Sequence, residues 1–219
     1  MNIKPYTTII RDGERNLELG GDTFRGVGWT KRKEYADLRY KIMLDGIKES
    51  FGRPLTLLDF GCGAAHLYEY VQSQHIEGIE YSGLDMSPMA IALCRRKHPH
   101  LTFHLLDLLE PTAVIPLYDF IVMNGVFTYR GELSFDDMRQ YFQDLLSRVW
   151  PFARHGLAFN VTSKYLDWER DDLFHLAFDD IAGFLDTRIS RHFAIRHDYG
   201  LFEYTVYAYR RSEADMLAE

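Results

Sequence analysis

The segment Asp59-Phe60-Gly61-Cys62-Gly63 follows the apolar pair Leu57-Leu58 and leads into Ala64-Ala65-His66-Leu67. Glycines in such a turn let the backbone pass close to a ligand, and the helix that follows offers unpaired amide donors and a positive dipole end. That arrangement can hold a cofactor carboxylate or a dinucleotide phosphate, and the turn alone does not choose between them. The dinucleotide fingerprint requires a third glycine, where this chain has Ala64, Ala65 and then Leu67, and the G-K-S/T ending of a P-loop is missing. Both phosphate readings weaken. Asp85 stands 26 positions beyond Asp59 at the end of the next strand, about where a two-unit α/β fold returns to the same crevice, and Asp107 ends a third. Three acids on successive strand ends are a stronger clue than any single glycine turn.

These residues need strands to carry them and helices to cover them, and the chain alternates accordingly. Lys31 to Ser50 reads as an amphipathic helix through Tyr35, Leu38, Ile42, Leu44 and Ile47, stopped by Phe51-Gly52-Arg53-Pro54. Thr56 to Asp59 is a buried strand, the glycine turn follows, and Ala64 to Val71 resumes a helical pattern. A second unit runs from Gly78 to Asp85, with Ser87 as cap and Pro88 in the first position of a helix reaching Lys97. Leu101 to Leu106 and Tyr118 to Met123 give strands three and four. Ser134 to Asp137 is a capping box opening a helix through Met138, Tyr141, Phe142, Leu145 and Val149, ended by Pro151. His155 to Val161 is a fifth strand, followed by a polar and aromatic insertion at 162–178, a short helix near Asp179 to Leu185, and a terminal hairpin of Phe193–Tyr199 and Phe202–Tyr209. Residues 1–30 show little periodicity and several glycines, which predicts an N-terminal arm or substrate lid; residues 31–219 read as one layered α/β domain.

In this setting Asp59 to Gly63 resembles the D/E-x-G-x-G first motif of class I, Rossmann-like methyltransferases dependent on S-adenosylmethionine, over roughly residues 32 to 210. The resemblance implies a seven-stranded sheet of order 3-2-1-4-5-7-6, strand 7 antiparallel, with helices on both faces. It implies S-adenosylmethionine as cofactor, its methionyl portion surrounded by Gly61, Cys62 and Gly63, with Asp59 orienting the loop or engaging the ammonium. By the same resemblance Asp85 accepts the ribose hydroxyls, Leu84 and Met86 flank the adenine, and Asp107 with Leu108 stands at the adenine-selecting position. Tyr118 to Phe127 resembles the fourth strand and its loop, placing Asn124 near the transferred methyl with Phe127 and Tyr129 restricting the substrate. The segment does not read as N-P-P-Y, which weakens the case for methylation of a flipped base or of glutamine.

Methyl transfer needs an acceptor lone pair aligned opposite the departing sulfur, so holding that line and excluding water are the main tasks. A base helps a hydroxyl acceptor, and Tyr129, His175 and His197 are the candidate proton-handling side chains. Trp29, Lys31, Arg32 and Tyr35 at the arm-to-helix transition, Tyr165 and Arg170 in the insertion, and Tyr199 beside the hairpin turn are the candidate acceptor contacts. Each also has a plain structural reading, as packing anchor, surface pair or hairpin contact. The leading expectation is methylation of a small molecule at oxygen, such as a sugar precursor or specialised metabolite. Nitrogen methylation, a nicotinamide-dependent oxidoreductase and a non-catalytic Rossmann-like module are the alternatives.

Composition narrows the rest. With 47% hydrophobic residues the 219-residue chain can build one sizeable core, and a formal charge of -7 disfavours a nucleic-acid partner. No run approaches the roughly 20 apolar residues that span a bilayer, and Met1 to Pro5 lacks a secretory apolar core, so a cytoplasmic protein without a membrane partner is expected. Cys62 and Cys94 are too few for a disulfide framework, and the dispersed histidines form no H-E-x-x-H or similar set, so no metal is expected. Oligomeric state is not legible.

Overall fold

The computed structural model describes residues 4–28, 32–47 and 53–211. Strand β1 (Leu55–Phe60) is buried on both faces, as a central parallel strand must be. Its side chains alternate: Leu57 joins a core with helix α2 (Lys33–Asp45), while Leu58 joins one with helix α5 (Phe135–Val149). Helices α3 (His66–Ser73) and α4 (Pro88–Lys97) share the first face, and α6 (Phe178–Phe184) shares the second.

The remaining strands are β2 (Ile79–Asp85), β3 (Thr102–Leu105), β4 (Tyr118–Phe127), β5 (Ala153–Ser163), the two-residue β6 (His175–Leu176), β7 (His192–Arg196) and β8 (Glu203–Tyr209). The sheet order is β3-β2-β1-β4-β5-β8-β7, with β8 antiparallel to both neighbours. With β6 set aside, this is the expected order and the expected antiparallel strand. β6 pairs in parallel with Thr162 and Ser163, on the edge of β5 that β4 vacates beyond Phe127. Both capped helices begin as their sequences predict: Ser87 accepts from the Ala90 N–H and Ser134 from the Asp137 N–H.

Three local expectations change. The N-terminal segment is not extended: Thr7–Gly20 forms helix α1, with Tyr6, Ile10, Gly13 and Leu17 recurring at helical spacing along one side. In α2 the buried face is Ala36, Tyr40 and Met43 with Ile42, while Tyr35 is exposed, because the Ala36 stripe, one position on from Tyr35, meets the sheet. Strand β7 ends at Arg196, three residues earlier than the pattern predicts, since the chain turns through Asp198 and the left-handed Gly200. Among the described residues no helix is long and apolar enough to cross a membrane.

Candidate active site

The C-terminal ends of β1, β2 and β4 open into one cavity of about 560 Å³, within the usual range for small-ligand sites. Its floor is the glycine turn. Gly61 and Gly63 both have positive φ, and a Cβ on Gly61 would lie 2.7 Å from Val126 Cγ2, so only glycine fits there. The Gly61 and Cys62 N–H groups donate to the Leu84 carbonyl at 2.7 and 3.0 Å, which ties the turn to β2. Helix α3 then starts from Ala65, itself left-handed and without a side-chain cap, so its first-turn N–H groups face outward unpaired.

Two carboxylates stand at this floor, Asp59 buried and Asp85 half-buried. Asp85 Oδ2 accepts the Gly63 N–H at 3.0 Å and Oδ1 accepts the Ser87 N–H at 2.8 Å. With the Met86 N–H as a further backbone donor, lone-pair capacity still remains on the carboxylate for a ligand. Burial raises its pKa, against the lowering effect of those backbone donors. Asp59 accepts the Tyr81 hydroxyl at 2.7 Å, and burial pushes its carboxyl up to about 7 despite that bond, with the Asp85 charge adding to the rise. Among the described residues neither acid has an ion-pair partner.

The roof is α1 and the segment after it. Tyr129 donates to Asp12 Oδ2 at 3.0 Å, the Ser87 hydroxyl to Glu14 Oε1 at 2.8 Å, and His66 Nε2 lies 2.9 Å from Asp22 Oδ1. At the near end Tyr6 and Lys4 both donate to Asp107 Oδ2 at 2.7 Å, and Tyr6 stacks on Tyr141 with ring centroids 4.7 Å apart. The pKa of Asp107 is lowered by these two donors, against its partial burial, and burial pushes the Tyr6 phenol up to about 12. Each of these fastenings lands beside the end of a core strand or the glycine turn.

The predicted cofactor residues Asp59, Gly61, Cys62, Gly63, Asp85, Met86 and Asn124 line the cavity. Leu84 and Leu108 lie buried beneath it, and Asp107 turns to Lys4 and Tyr6 rather than lining the cavity. Of the predicted acceptor contacts, Tyr129 and Arg170 line it. Phe127 is wholly in the core, Tyr165 packs on Phe178 at the surface, and Tyr199 hydrogen-bonds Thr205 on the far side of the sheet. Arg32 stacks on exposed Tyr35 away from the cavity; Trp29 and Lys31 lie outside the described residues.

Two expected proton carriers have other places. His175 is buried, with Nδ1 2.8 Å from the Ser163 carbonyl and Nε2 accepting the Arg170 N–H at 3.2 Å. Both ring nitrogens are occupied, and the ring does not reach the cavity: it pins the insertion. His197 lies exposed in the hairpin turn with its ring edge to Phe178. Part of the insertion lines the cavity: Asp172 O accepts the Arg130 and Gly131 N–H groups, Phe174 N–H donates to Thr128 O, and so Arg170, Asp172 and Leu173 reach it.

Residues not anticipated include those of the roof, Tyr6, Ile10, Glu14 and Leu17. The recurrence Tyr6-Ile10-Gly13-Leu17 was a readable signal for the helix that carries them. Among the described residues no group of three His, Cys, Asp or Glu side chains is placed to hold a metal ion.

Residues 58–151 match the profile of a methyltransferase domain. Rv1506c of Mycobacterium tuberculosis, itself assigned to the methyltransferases, is 27% identical over 158 residues, covering 70% of this chain and 92% of the relative. Magnesium protoporphyrin IX methyltransferase from Synechocystis, solved with S-adenosylmethionine bound, superposes with a TM-score of 0.62 at 16% identity over 93% of this chain and 96% of its own. The plantazolicin methyltransferase BpumL, solved with S-adenosylhomocysteine, gives 0.58 at 13% identity over 92% and 90%. At those identities the structures speak for the fold. The glycine turn at the end of β1 and the acid at the end of β2 fall within the domain match, and with this strand order the chain has the Rossmann-like fold of the class I S-adenosylmethionine-dependent methyltransferases.

Proposed function

We propose that the protein binds S-adenosylmethionine on the floor of this cavity and methylates a small molecule at oxygen. The observation that carries the reading is the pair Asp59 and Asp85, one buried and one half-buried carboxylate without a cationic partner among the described residues, at the ends of adjacent strands beside an uncapped helix start. Such a floor suits a ligand with cationic and carboxylate groups close together. In this reading the open lone pairs of Asp85 take the ribose hydroxyls, Asp59 faces the ammonium, and Met86 packs on the adenine. S-adenosylmethionine supplies a methyl group on a positively charged sulfur, ready for attack by a lone pair.

The chain's own part is to enclose and align. Helix α1 covers the cavity, so an acceptor must fit under it rather than lie across an open groove, which favours a small molecule. Exchange of ligands requires α1 to lift, so we read residues 1–30 as a lid on the domain formed by the rest. At the acceptor end Tyr129 with Asp12, Thr128 and the Arg170–Asp172 pair provide a polar wall for a hydroxyl-bearing molecule. A nitrogen acceptor is the second reading, favoured by Asn124 Oδ1, a buried acceptor with no partner among the described residues that an N–H would satisfy. Cys62 and Cys94 are buried free thiols, which suits a reducing cytoplasm.

Calorimetric titration with S-adenosylhomocysteine, followed by a screen of hydroxyl and amine metabolites for a mass gain of one methyl, tests the reading. Micromolar or tighter binding with transfer to a hydroxyl is expected. Absence of binding overturns the cofactor assignment, and transfer only to nitrogen overturns the oxygen assignment.

A further inference from the structure

Strand β4 leaves its register with β5 at the cavity. Met123 pairs with Phe159 and Phe127 with Val161, so Asn124, Gly125 and Val126 stand opposite Asn160 alone. A strand that carries extra residues against its partner must bulge, and the backbone groups it unpairs need other partners. Here the bulge faces the ligand. Asn124, Gly125 and Val126 all line the cavity, Gly125 takes the left-handed φ of 83°, and Val126 fills the space over Gly61 of the glycine turn. The position of the bulge therefore sets the gap between the β4 wall and the floor.

A side chain from the neighbouring strand holds it. Asn160 is wholly buried; its Oδ1 accepts the Gly125 N–H at 2.7 Å, and its Nδ2 donates to Glu203 Oε1 at 2.9 Å. Glu203, buried at the start of β8, also accepts from Arg39 Nε of α2 at 2.8 Å. Contacts thus run from a helix on one face of the sheet, through β8 and β5, into the bulge. Both ends fix the polarity. A backbone N–H demands an acceptor and a carboxylate demands a donor, so the Asn160 amide has one permitted orientation. A leucine would fill the same space and leave the Gly125 N–H and the Glu203 carboxylate without that partner.

We propose that Asn160 is a positioning residue for the ligand cavity, oriented by the Glu203–Arg39 pair and in turn holding the Asn124–Val126 bulge at the height that admits the cofactor. This rests on the cofactor reading above. Asn160, Glu203 and Arg39 do not line the cavity, so their effect on a ligand passes through the Gly125 peptide. The link is stiff because each bond is short and buried, and two of them end on an ionised carboxylate.

The test is an exchange of amide and carboxylate, read by calorimetry with S-adenosylhomocysteine and by Tm. Asn160→Asp keeps the shape and an acceptor for the Gly125 N–H, but sets a second carboxylate against Glu203, where like charges repel. Affinity of the folded protein is expected to fall about tenfold. Adding Glu203→Gln restores one amide and one carboxylate with their places exchanged, and is expected to bring affinity back to within about threefold of the unmodified protein. Glu203→Gln alone leaves Asn160 an acceptor but takes the charge from Arg39, and is expected to weaken binding about threefold. A role confined to stability would lower Tm and leave the affinity of the folded protein as it was. That result in Asn160→Asp, or a double variant that binds no better than Asn160→Asp, overturns the proposal. If Asn160→Asp does not fold, Glu203→Gln decides alone, and unchanged affinity there overturns it. An unmodified protein that does not bind S-adenosylhomocysteine removes the cofactor reading itself, so the two failures are told apart.

Discussion

The Tyr129 hydroxyl donates to Asp12 Oδ2 across 3.0 Å, joining residues 117 positions apart and fastening helix α1 to the loop after β4. The bond lies where α1 meets the cavity wall formed by Thr128, Arg170 and Asp172, the place proposed above for the acceptor. Burial and the neighbouring Asp12 both raise the Tyr129 pKa, which keeps the phenol protonated and donating.

Tyr129→Phe removes that donor and leaves the ring. One net hydrogen bond of about 1 kcal/mol corresponds to roughly a fivefold change. Stopped-flow displacement of S-adenosylhomocysteine should show dissociation faster by about that factor, with Asp12→Asn giving a smaller change in the same direction. An unchanged dissociation rate in Tyr129→Phe would separate the contact from lid opening.

Asp85→Asn keeps the shape of the β2 end and removes the charge. A hydrogen bond to a charged group contributes about 1.5–3 kcal/mol, so S-adenosylhomocysteine affinity should drop by roughly one to two orders of magnitude. The Gly63 N–H also loses an anionic acceptor, so the turn should loosen, and hydrogen exchange at Gly63 should quicken. Affinity within a factor of two of the unmodified protein would show that the ribose lies elsewhere.

The Asp59 carboxyl, pushed up to about 7 by burial, gives cofactor binding a pH dependence. The ammonium favours the carboxylate form, so affinity should be level above pH 7 and fall with acidification, by up to about tenfold per pH unit. Stability moves the opposite way. A carboxyl raised in the folded state adds stability below its unfolded pKa, near 4, and loses it as pH rises through 7. Asp59→Asn should therefore flatten the binding profile, weaken binding at pH 8 and raise the melting temperature at pH 8. A binding profile with the same slope in Asp59→Asn would assign the titration to another group.

At the opposite end of the sheet Asp119 is wholly buried and takes both Arg53 guanidinium nitrogens, at 2.8 and 2.9 Å, with the Thr56 N–H and hydroxyl. Arg53 holds its carboxyl far below the usual carboxylate range, so its stabilisation is present above pH 4 and lost as pH falls below. Asp119→Ala leaves buried donors unpaired and should cost about 3 kcal/mol, seen as a drop of roughly 6–12 °C in Tm. Ligand affinity should hardly change, because the cavity lies at the other end of the strands. Loss of binding in a folded Asp119→Ala protein would contradict that separation.

What the chain determined by itself is what local chemistry can encode. The short apolar run of β1, the Ser87 and Ser134 caps, and a turn that tolerates only glycine at Gly61 are short-range properties, and they carried the fold and the floor of the cavity. Asp59 and Asp85 were legible because they stand at the C-terminal ends of strands, where an α/β sheet opens to ligand, and Asn124 because it interrupts the apolar run of β4 at the same level. Only the tertiary structure decided the roof and the wall that Arg170, Asp172 and Leu173 add to the cavity. His175 has the composition of a base, but its two nitrogens go to Ser163 and Arg170, partners that only the folded insertion brings within reach. Phe127, Tyr165 and Tyr199 are aromatics near the right strands, yet side-chain direction sends one into the core and the others to surfaces away from the cavity. Asp12 and Tyr129, or Asp22 and His66, meet across long stretches of chain, and no local pattern specifies such a pair, since it exists only once α1 has docked on the strand ends.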